Sequence, residues 1–172
     1  MFKHLLVPLD GSRLAEAALP LAQELAQRFG SNITLLCVPE IPLLPLAGDN
    51  AGSARYWQEL RQTAYDDALG YLKKQKAMLD NTVPSSTINV QVLNNMPPAD
   101  AILYFTETAG ADSIVMSTHG RGGFQRWVYG SVASKVLSHS VVPILLVRAQ
   151  EEFDFELPKI RDLEDIRSHE LV

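Results

Sequence analysis

Short apolar runs alternate along the chain with longer segments in which apolar residues recur every three or four positions. The first pattern is typical of buried parallel strands, and the second is typical of helices that cover them. The apolar runs predict five strands, at residues 2–9, 32–38, 86–93, 113–116 and 142–148. The helical periodicity predicts helices at residues 13–29, 55–80, 98–109 and 130–139. Five parallel strands with helices on both faces form a doubly wound α/β sheet.

Residues with special backbone preferences mark the ends of several elements. Ser12 is the predicted N-cap of the first helix, and Gly30 is the residue that ends it. Pro20 lies inside the same helical pattern and predicts a kink there. Residues 39–54 contain three prolines and two glycines, which predict a long loop. Its leucines leave two alternatives open: a functional loop, or a loop that packs on its own domain.

A glycine-rich segment follows the fourth predicted strand and leads into the last predicted helix. It reads Ser-Thr-His-Gly-Arg-Gly-Gly from Ser117 and reaches Gly130 and Ser131 at the start of the helix. Glycines at such a junction let the backbone approach a phosphate, and the helix N-terminus supplies N–H groups for it. Ser131 is the predicted N-cap, with a hydroxyl for capping the helix or for bonding a phosphate oxygen. The glycines alone leave open a surface turn without a ligand.

The spacing of the small residues distinguishes this segment from the two common nucleotide-binding loops. The chain has no Gly-Lys pair of a P-loop, and Gln125 stands where a dinucleotide fingerprint would need a glycine. The segment instead resembles the ATP-binding signature of the universal stress protein family. Its small residues are Ser117, then Gly120 after two residues, then Gly130-Ser131 after nine more. Ser117 replaces the first glycine of that signature. Because serine is small, this departure weakens the resemblance only mildly.

Two further segments carry the resemblance. Residues 2–12 are similar to the family's first strand and the acidic turn after it, and residues 142–147 are similar to its last strand. The resemblance covers residues 1–148, which are interpreted as one nucleotide-binding domain. Residues 149–172 remain as an acidic C-terminal extension.

The resemblance implies the strand order 3-2-1-4-5, which places the first and fourth strands side by side at the topological switch point. Asp10 ends the first strand and Ser117 ends the fourth, so both are expected to face one crevice. The resemblance also implies that this crevice binds ATP, with Mg²⁺ or Mn²⁺ carried on the phosphates. The implied cofactor-binding residues are Pro8, Asp10, Val38, Met116, Ser117, Gly120, Gly130, Ser131 and Val132. Arg121, which flanks the glycines, is a further candidate because its guanidinium can bind phosphate oxygens.

Several of these residues also have simpler roles that the sequence leaves open. Asp10 is suited to capping the first helix, and Pro8 and Val38 are suited to packing at strand ends. Arg121 can lie on a phosphate or be exposed to solvent. The chain has no Gly-x-Ser-x-Gly elbow, no Cys-His pairing and no metal-ligand spacing of histidines.

The function implied by the resemblance is that of an ATP-binding stress or signalling protein. It is expected not to be an enzyme, or to be at most a weak ATPase. The alternative is a nucleotide-independent, dimeric interaction module of the same fold, which the Ser117 departure supports.

Charge and composition narrow the possible partners. The net charge of −5 falls entirely within residues 150–172, and residues 1–149 are balanced. Residues 1–149 have no basic stripe, which disfavours nucleic acid and anionic membranes as partners. No apolar run approaches a membrane span and the N-terminus lacks a signal pattern, so a cytoplasmic location is expected. Cys37, the only cysteine, is expected in the core.

The last predicted strand is apolar and lies at the sheet edge in the implied order. Because exposed apolar edges tend to be paired or covered, the chain is expected to form a homodimer through residues Val142–Val147. The acidic extension is expected to dock on this dimer through its apolar residues. A solvated acidic tail is the alternative.

Overall fold

The computed structural model describes residues 1–39, 51–94, 96–118 and 129–148, with the side chains of 51–54 outside the description. Gly120, Arg121, most of the predicted loop and the C-terminal extension lie outside the described residues. The strands are β1 (His4–Leu9), β2 (Asn32–Cys37), β3 (Ile88–Val92), β4 (Ser113–Ser117) and β5 (Ile144–Val147). The helices are α1 (Arg13–Glu16), α2 (Leu19–Phe29), α3 (Ala51–Asp80), α4 (Pro98–Thr108) and α5 (Ser131–His139).

The five strands form one parallel sheet in the order β3-β2-β1-β4-β5. Helices α1, α2 and α3 cover one face, and α4 and α5 cover the other. The predicted doubly wound fold and its strand order are therefore confirmed. Because helices occupy both faces, a ligand reaches the sheet at the carboxyl ends of the strands.

The hydrophobic core consists of two layers, one on each side of the sheet. On one side, Leu5 and Val7 of β1 pack with α2 and α3, including the fully buried Leu72. On the other side, Leu6 and Ile114 pack with α4 and α5. Neighbouring residues of β1 thus pack into opposite layers, which explains why Leu5, Leu6 and Val7 are apolar in succession.

The predicted caps of the first helix are confirmed, but the helix itself is two helices. The Ser12 hydroxyl accepts the Ala15 N–H at 3.1 Å at the start of α1, and Gly30 ends α2 with a φ of +64°. Pro20 lies in the first turn of α2, where its missing N–H is tolerated. Within a continuous helix the proline would remove a hydrogen bond and its ring would clash, so the helix breaks before it.

The predicted start of the long helix was wrong. α3 begins at Ala51 rather than at residue 55, inside the segment predicted as a loop. Gly52 costs the helix only about 1 kcal/mol, which is small beside the cooperative hydrogen bonding of a 30-residue helix. Four of the five strands are also one to three residues shorter than predicted, because strand pairing covers only part of each predicted segment.

Asp112 ties β1 to β4 at the amino-terminal edge of the sheet. Its carboxylate accepts the backbone N–H groups of Lys3 at 2.9 Å and His4 at 3.3 Å. Burial acts to raise the pKa of this carboxyl, but those two N–H groups, the Ser113 hydroxyl and the N-terminal ammonium together hold it below its ordinary value. The charged form of Asp112 therefore stabilises the start of the central strand pair.

Two expectations from composition can be compared with the described residues. Cys37 is buried at the end of β2, as expected for a small core residue. In the ranges that the structure describes, no helix has both the length and the apolar character needed to cross a bilayer.

Candidate functional site

The carboxyl ends of β1 and β4 lie side by side at the centre of the sheet. After β1 the chain continues into helices on one face, and after β4 it reaches α5 on the other face. Leu5 pairs with Ser113 and Leu6 with Ile114, and from there the two parallel strands run on towards Leu9 and Ser117. Asp10 and the glycine-rich segment therefore leave the sheet at neighbouring positions, which is the geometry of a switch-point crevice.

Pro8 limits the pairing of these two strands. The Asp112 N–H donates to the His4 carbonyl, so the His4 backbone faces β4. Because backbone direction alternates along a strand, Pro8 faces β4 as well, but proline has no N–H to donate. The register of β1 with β4 covers two residue pairs and ends at Leu6, whereas its register with β2 covers six and continues to Leu9. The missing donor thus ends the ladder at the switch point.

The two ends of the glycine-rich segment are tied to each other beside β4. The Thr118 N–H donates to the Val147 carbonyl of β5 at 3.0 Å, and the Gly130 N–H donates to the Thr118 carbonyl at 3.0 Å. The residues between these anchors, Gly120 and Arg121 among them, lie outside the described residues. Because the chain returns to the strand end that it left, α5 begins beside the switch point.

The N-terminus of α5 has the features of an anion-binding helix end. Gly130 is its N-cap and accepts the Ser134 N–H at 2.9 Å, and it has no side chain with which to cap the helix. The first-turn N–H groups of Ser131, Val132 and Ala133 point out of the helix end, where negative charge is stabilised.

The prediction of Ser131 as the N-cap was wrong by one position. Ser131 is the first helical residue and is exposed, because the Gly130 carbonyl receives the first helical hydrogen bond. Val132 follows it and is half-buried. The hydroxyl of Ser131 lies beside the helix end, within the first turn.

Asp10 lies in a tight turn between β1 and α1. Its Oδ1 accepts the Ser12 N–H at 2.9 Å. Gly11 between them has a φ of +83°, a conformation that glycine adopts readily. The side-chain cap of α1 is supplied by Ser12, so the capping role considered for Asp10 belongs to Ser12. Asp10 is half-buried on the β1 side of the crevice.

Three further predicted site residues lie at the same edge of the sheet. Met116 and Ser117 end β4 and are 5% and 6% exposed. Val38 directly follows β2 and is half-buried. The described members of the predicted site therefore lie at the carboxyl ends of β1, β2 and β4 or at the start of α5.

A hydrogen-bonded cluster behind the Asp10 turn is missing from the sequence-based prediction. Glu16 Oε1 accepts the Tyr71 hydroxyl at 3.0 Å and Gln75 Nε2 at 2.9 Å. Burial and then the Glu16 carboxylate raise the pKa of Tyr71 above its ordinary value, and Asp10 acts in the same direction. The signal in the sequence is a glutamine three residues after Leu72, on the face of α3 that is otherwise apolar.

The arrangement combines a hydrogen-bond acceptor with a group of donors. Asp10 supplies the acceptor at the end of β1, and the start of α5 supplies the N–H groups. Within the described ranges, no three His, Cys, Asp or Glu side chains gather as a metal site. The geometry suits a ligand that has hydroxyl or amino groups at one end and an anionic group at the other.

The chain is similar in sequence to a known group of proteins. Residues 1–148 match the model of the Universal stress protein family. The universal stress protein YxiE of Bacillus subtilis is 30% identical over 153 residues, which cover 86% of this chain and 100% of that protein. A universal stress protein of Methanocaldococcus jannaschii is 28% identical over 149 residues, which cover 86% of this chain and 83% of that protein.

Solved structures share the fold at lower sequence identity. Universal stress protein UspA from Lactobacillus plantarum has a TM-score of 0.72 at 23% identity, covering 86% of this chain and 98% of that chain. A universal stress protein in complex with cAMP has a TM-score of 0.54 at 17% identity, with coverage of 87% and 98%. One from Archaeoglobus fulgidus in complex with dAMP has a TM-score of 0.52 at 19% identity, with coverage of 86% and 100%.

Proposed function

Since this chain belongs to the universal stress protein family, we propose that it binds an adenine nucleotide at the switch point between β1 and β4. The observation that carries the proposal is the acceptor of the Asp10 turn lying at the same sheet edge as the start of α5, whose N-cap glycine has no side chain. A nucleotide has donors at its nucleoside end and negative charge at its phosphates, which is the complementary pattern. The complexes of two proteins of this fold with cAMP and dAMP support an adenine nucleotide.

The nucleoside end of the ligand lies on the β1 side of the crevice in this proposal. Asp10 accepts a hydrogen bond from a ribose hydroxyl or from the adenine amino group. Pro8 and Val38 line the same side as strand-end residues, and Met116 and Ser117 lie beneath the ligand. The half-buried position of Asp10 strengthens such a bond, because a carboxylate that is partly shielded from water interacts more strongly with its donor.

The phosphate end lies at the start of α5. Gly130 has no side chain to obstruct a phosphate, and the N–H groups of Ser131 and Val132 point towards it. These residues fit ATP, the proposed ligand, with Mg²⁺ or Mn²⁺ carried on its phosphates. Gly120 and Arg121 are the remaining members of the proposed phosphate site, and both lie outside the described residues.

Calorimetric titration with ATP, AMP and cAMP tests this assignment. Asp10→Ala should weaken the binding of all three nucleotides at least about tenfold, because each loses the same hydrogen bond to a charged acceptor. Asp66→Ala is the matched control, because Asp66 is an exposed carboxylate on α3. If the wild-type protein binds none of the three nucleotides, the proposal is refuted.

The biological role that we propose is a nucleotide-responsive stress or signalling module, not a turnover enzyme. The described residues supply a binding geometry and contribute no assembled nucleophile and base. Slow ATP hydrolysis by a positioned water is the most that we expect. Phosphate release from ATP and Mg²⁺ on the order of once per second or faster, the rate of an ordinary enzyme, would contradict this role.

Ser117 supports a second candidate function, a nucleotide-independent interaction module. It stands where the ATP-binding signature has a glycine, and it is nearly buried at the end of β4. Mass spectrometry of the purified, denatured protein distinguishes the two candidates through a co-purified adenine nucleotide. Ser117→Gly should strengthen ATP binding if the first candidate is correct. Failure of both wild type and Ser117→Gly to bind would favour the second.

Assembly through β5 is part of the proposal. The strand Ile144–Val147 is wholly apolar but only half-buried, and it is the edge strand of the sheet in the described part of the chain. Val141 next to it is 79% exposed, and Leu137 of α5 is also exposed. Pairing two such edges about a two-fold axis would bury these side chains and satisfy the edge. Light scattering at micromolar concentration should give a dimer mass, and a monomer mass would contradict this assembly.

A further inference from the structure

Glu16, the last residue of α1, is held by two side chains of α3. Its Oε1 accepts the Tyr71 hydroxyl at 3.0 Å and Gln75 Nε2 at 2.9 Å. Tyr71 and Gln75 are four residues apart and so lie on one face of α3. Gln75 is 5% exposed, and its buried Nε2 is satisfied by this hydrogen bond, whereas its Oε1 has no hydrogen-bond partner in the described part of the chain. α3 and α1 are therefore joined by a part-buried polar contact on the face of the sheet that they share.

The backbone continues this contact from Glu16 to Asp10. The Glu16 N–H donates to the Ser12 carbonyl at 3.2 Å. The Ser12 N–H donates in turn to Asp10 Oδ1 at 2.9 Å. Three hydrogen bonds, joined through the covalent bonds of Glu16 and the chain around Ser12, therefore link the Tyr71 hydroxyl on α3 to the carboxylate at the switch point.

α1 lies against β1 and β4 but buries little apolar surface of its own. It is four residues long and is separated from α2 by the break before Pro20. Ala15 is its buried residue, and alanine offers little apolar surface. Because a single helical turn is not stable by itself, the position of the Asp10 turn depends on tertiary contacts.

We propose that Glu16, Tyr71 and Gln75 are positioning residues that set the nucleotide affinity of the site by holding the Asp10 turn. This inference rests on the proposed adenine-nucleotide function. The three residues act through Asp10 and need no contact with the ligand. Burial, the Glu16 carboxylate and Asp10 keep the pKa of Tyr71 above its ordinary value. Its hydroxyl therefore remains a donor throughout the physiological pH range.

Amide hydrogen exchange of the full, ligand-free chain tests the structural step. Tyr71→Phe removes the hydroxyl and keeps the ring. Exchange at the Ser12 and Ala15 N–H groups should become about threefold to tenfold faster, while exchange at Ser134 in α5 stays unchanged. Tyr65→Phe is the matched control, since Tyr65 is half-buried on the same helix and, in the described part of the chain, makes no hydrogen bond to α1.

Calorimetry with ATP tests the functional step. Tyr71→Phe should weaken ATP binding about threefold to tenfold. Gln75→Leu removes the other hydrogen bond to Glu16 and should weaken ATP binding to a similar extent. In an Asp10→Asn background, Tyr71→Phe should have little further effect, because its influence runs through Asp10. A general loss of stability would instead weaken binding equally in both backgrounds.

The outcomes separate this inference from the function on which it rests. If the wild-type protein binds ATP, unchanged exchange at Ser12 and Ala15 in Tyr71→Phe would overturn the positioning role. The positioning role would also be overturned if Tyr71→Phe weakened ATP binding equally in the wild-type and the Asp10→Asn backgrounds. If the wild-type protein binds no adenine nucleotide, the proposed function fails first, and the positioning role fails with it whatever the exchange rates.

Discussion

The phosphate end of the proposed site can be tested at Gly130, the N-cap of α5. Gly130→Val places a branched side chain at the helix end that the phosphates approach. The backbone there has a φ of −53° and a ψ of 156°, close to the extended region that valine adopts. The variant should therefore fold, with a free energy of unfolding lower by about 1 kcal/mol, because valine is a poorer N-cap than glycine.

The effect of this substitution on binding should be much larger. A phosphate at this end accepts the N–H groups of Ser131 and Val132, and a hydrogen bond to a charged acceptor contributes about 1.5–3 kcal/mol. Loss of both bonds corresponds to about 3–6 kcal/mol, which weakens ATP binding about 100-fold or more. The loss of binding free energy in Gly130→Val should therefore be several times larger than its loss of unfolding free energy.

Calorimetry with ATP measures the affinity, and circular dichroism with thermal unfolding measures the fold. Gly70→Ala is the matched glycine control, because a Cβ at Gly70 in α3 meets nothing within 4 Å. It should raise stability by about 0.5–1 kcal/mol and leave ATP binding unchanged. Wild-type ATP affinity in a folded Gly130→Val protein would refute the placement of the phosphates at α5.

Three further predictions concern other parts of the sheet. Asp112→Asn should lower the free energy of unfolding by about 1–3 kcal/mol near neutral pH. Because the folded-state pKa of Asp112 is lowered, this stabilisation is present above its unfolded-state pKa and is lost as the pH falls through the folded value. Thermal unfolding should therefore show the two proteins converging below about pH 4, and a constant difference would contradict this. Pro8→Ala returns an N–H to the ladder between β1 and β4, so calorimetry should show weaker ATP binding; unchanged affinity would argue against an open switch point. Val141→Glu should shift the light-scattering mass from dimer to monomer, whereas Val141→Ile should keep the dimer.

The local features of this fold were readable in the sequence because they depend on neighbouring residues. Runs of apolar residues mark strands that are covered on both faces, and they predicted all five strands of the sheet. Ser12 caps the start of α1 through a hydrogen bond within one turn, and Gly30 ends α2 through its own backbone angles. Both roles were therefore predicted correctly. The helix break before Pro20 was anticipated as a kink, since proline acts on the turn that precedes it.

The prediction of the site depended on the spacing of its motifs rather than on periodicity. Ser117, Gly120 and Gly130-Ser131 carried the resemblance to the family, and that resemblance implied the strand order. The order in turn places β1, which Asp10 follows, beside β4, as the structure has it. The cap of α5 was misplaced by one residue, because a serine is the stronger N-cap signal when the hydrogen bonds are unknown.

Only the tertiary structure decided which distant groups meet at the switch point. Gln75 lies on an apolar face of a long helix, and nothing nearby in the sequence provides its partner Glu16, which is 59 residues away. Pro8 ends the ladder with β4 because its backbone faces that strand, which follows from the register and not from the strand's own residues. Hydrogen bonds between separate elements depend on which faces and edges the folded sheet brings together. Local patterns therefore predict the elements, and packing determines which polar groups support the site.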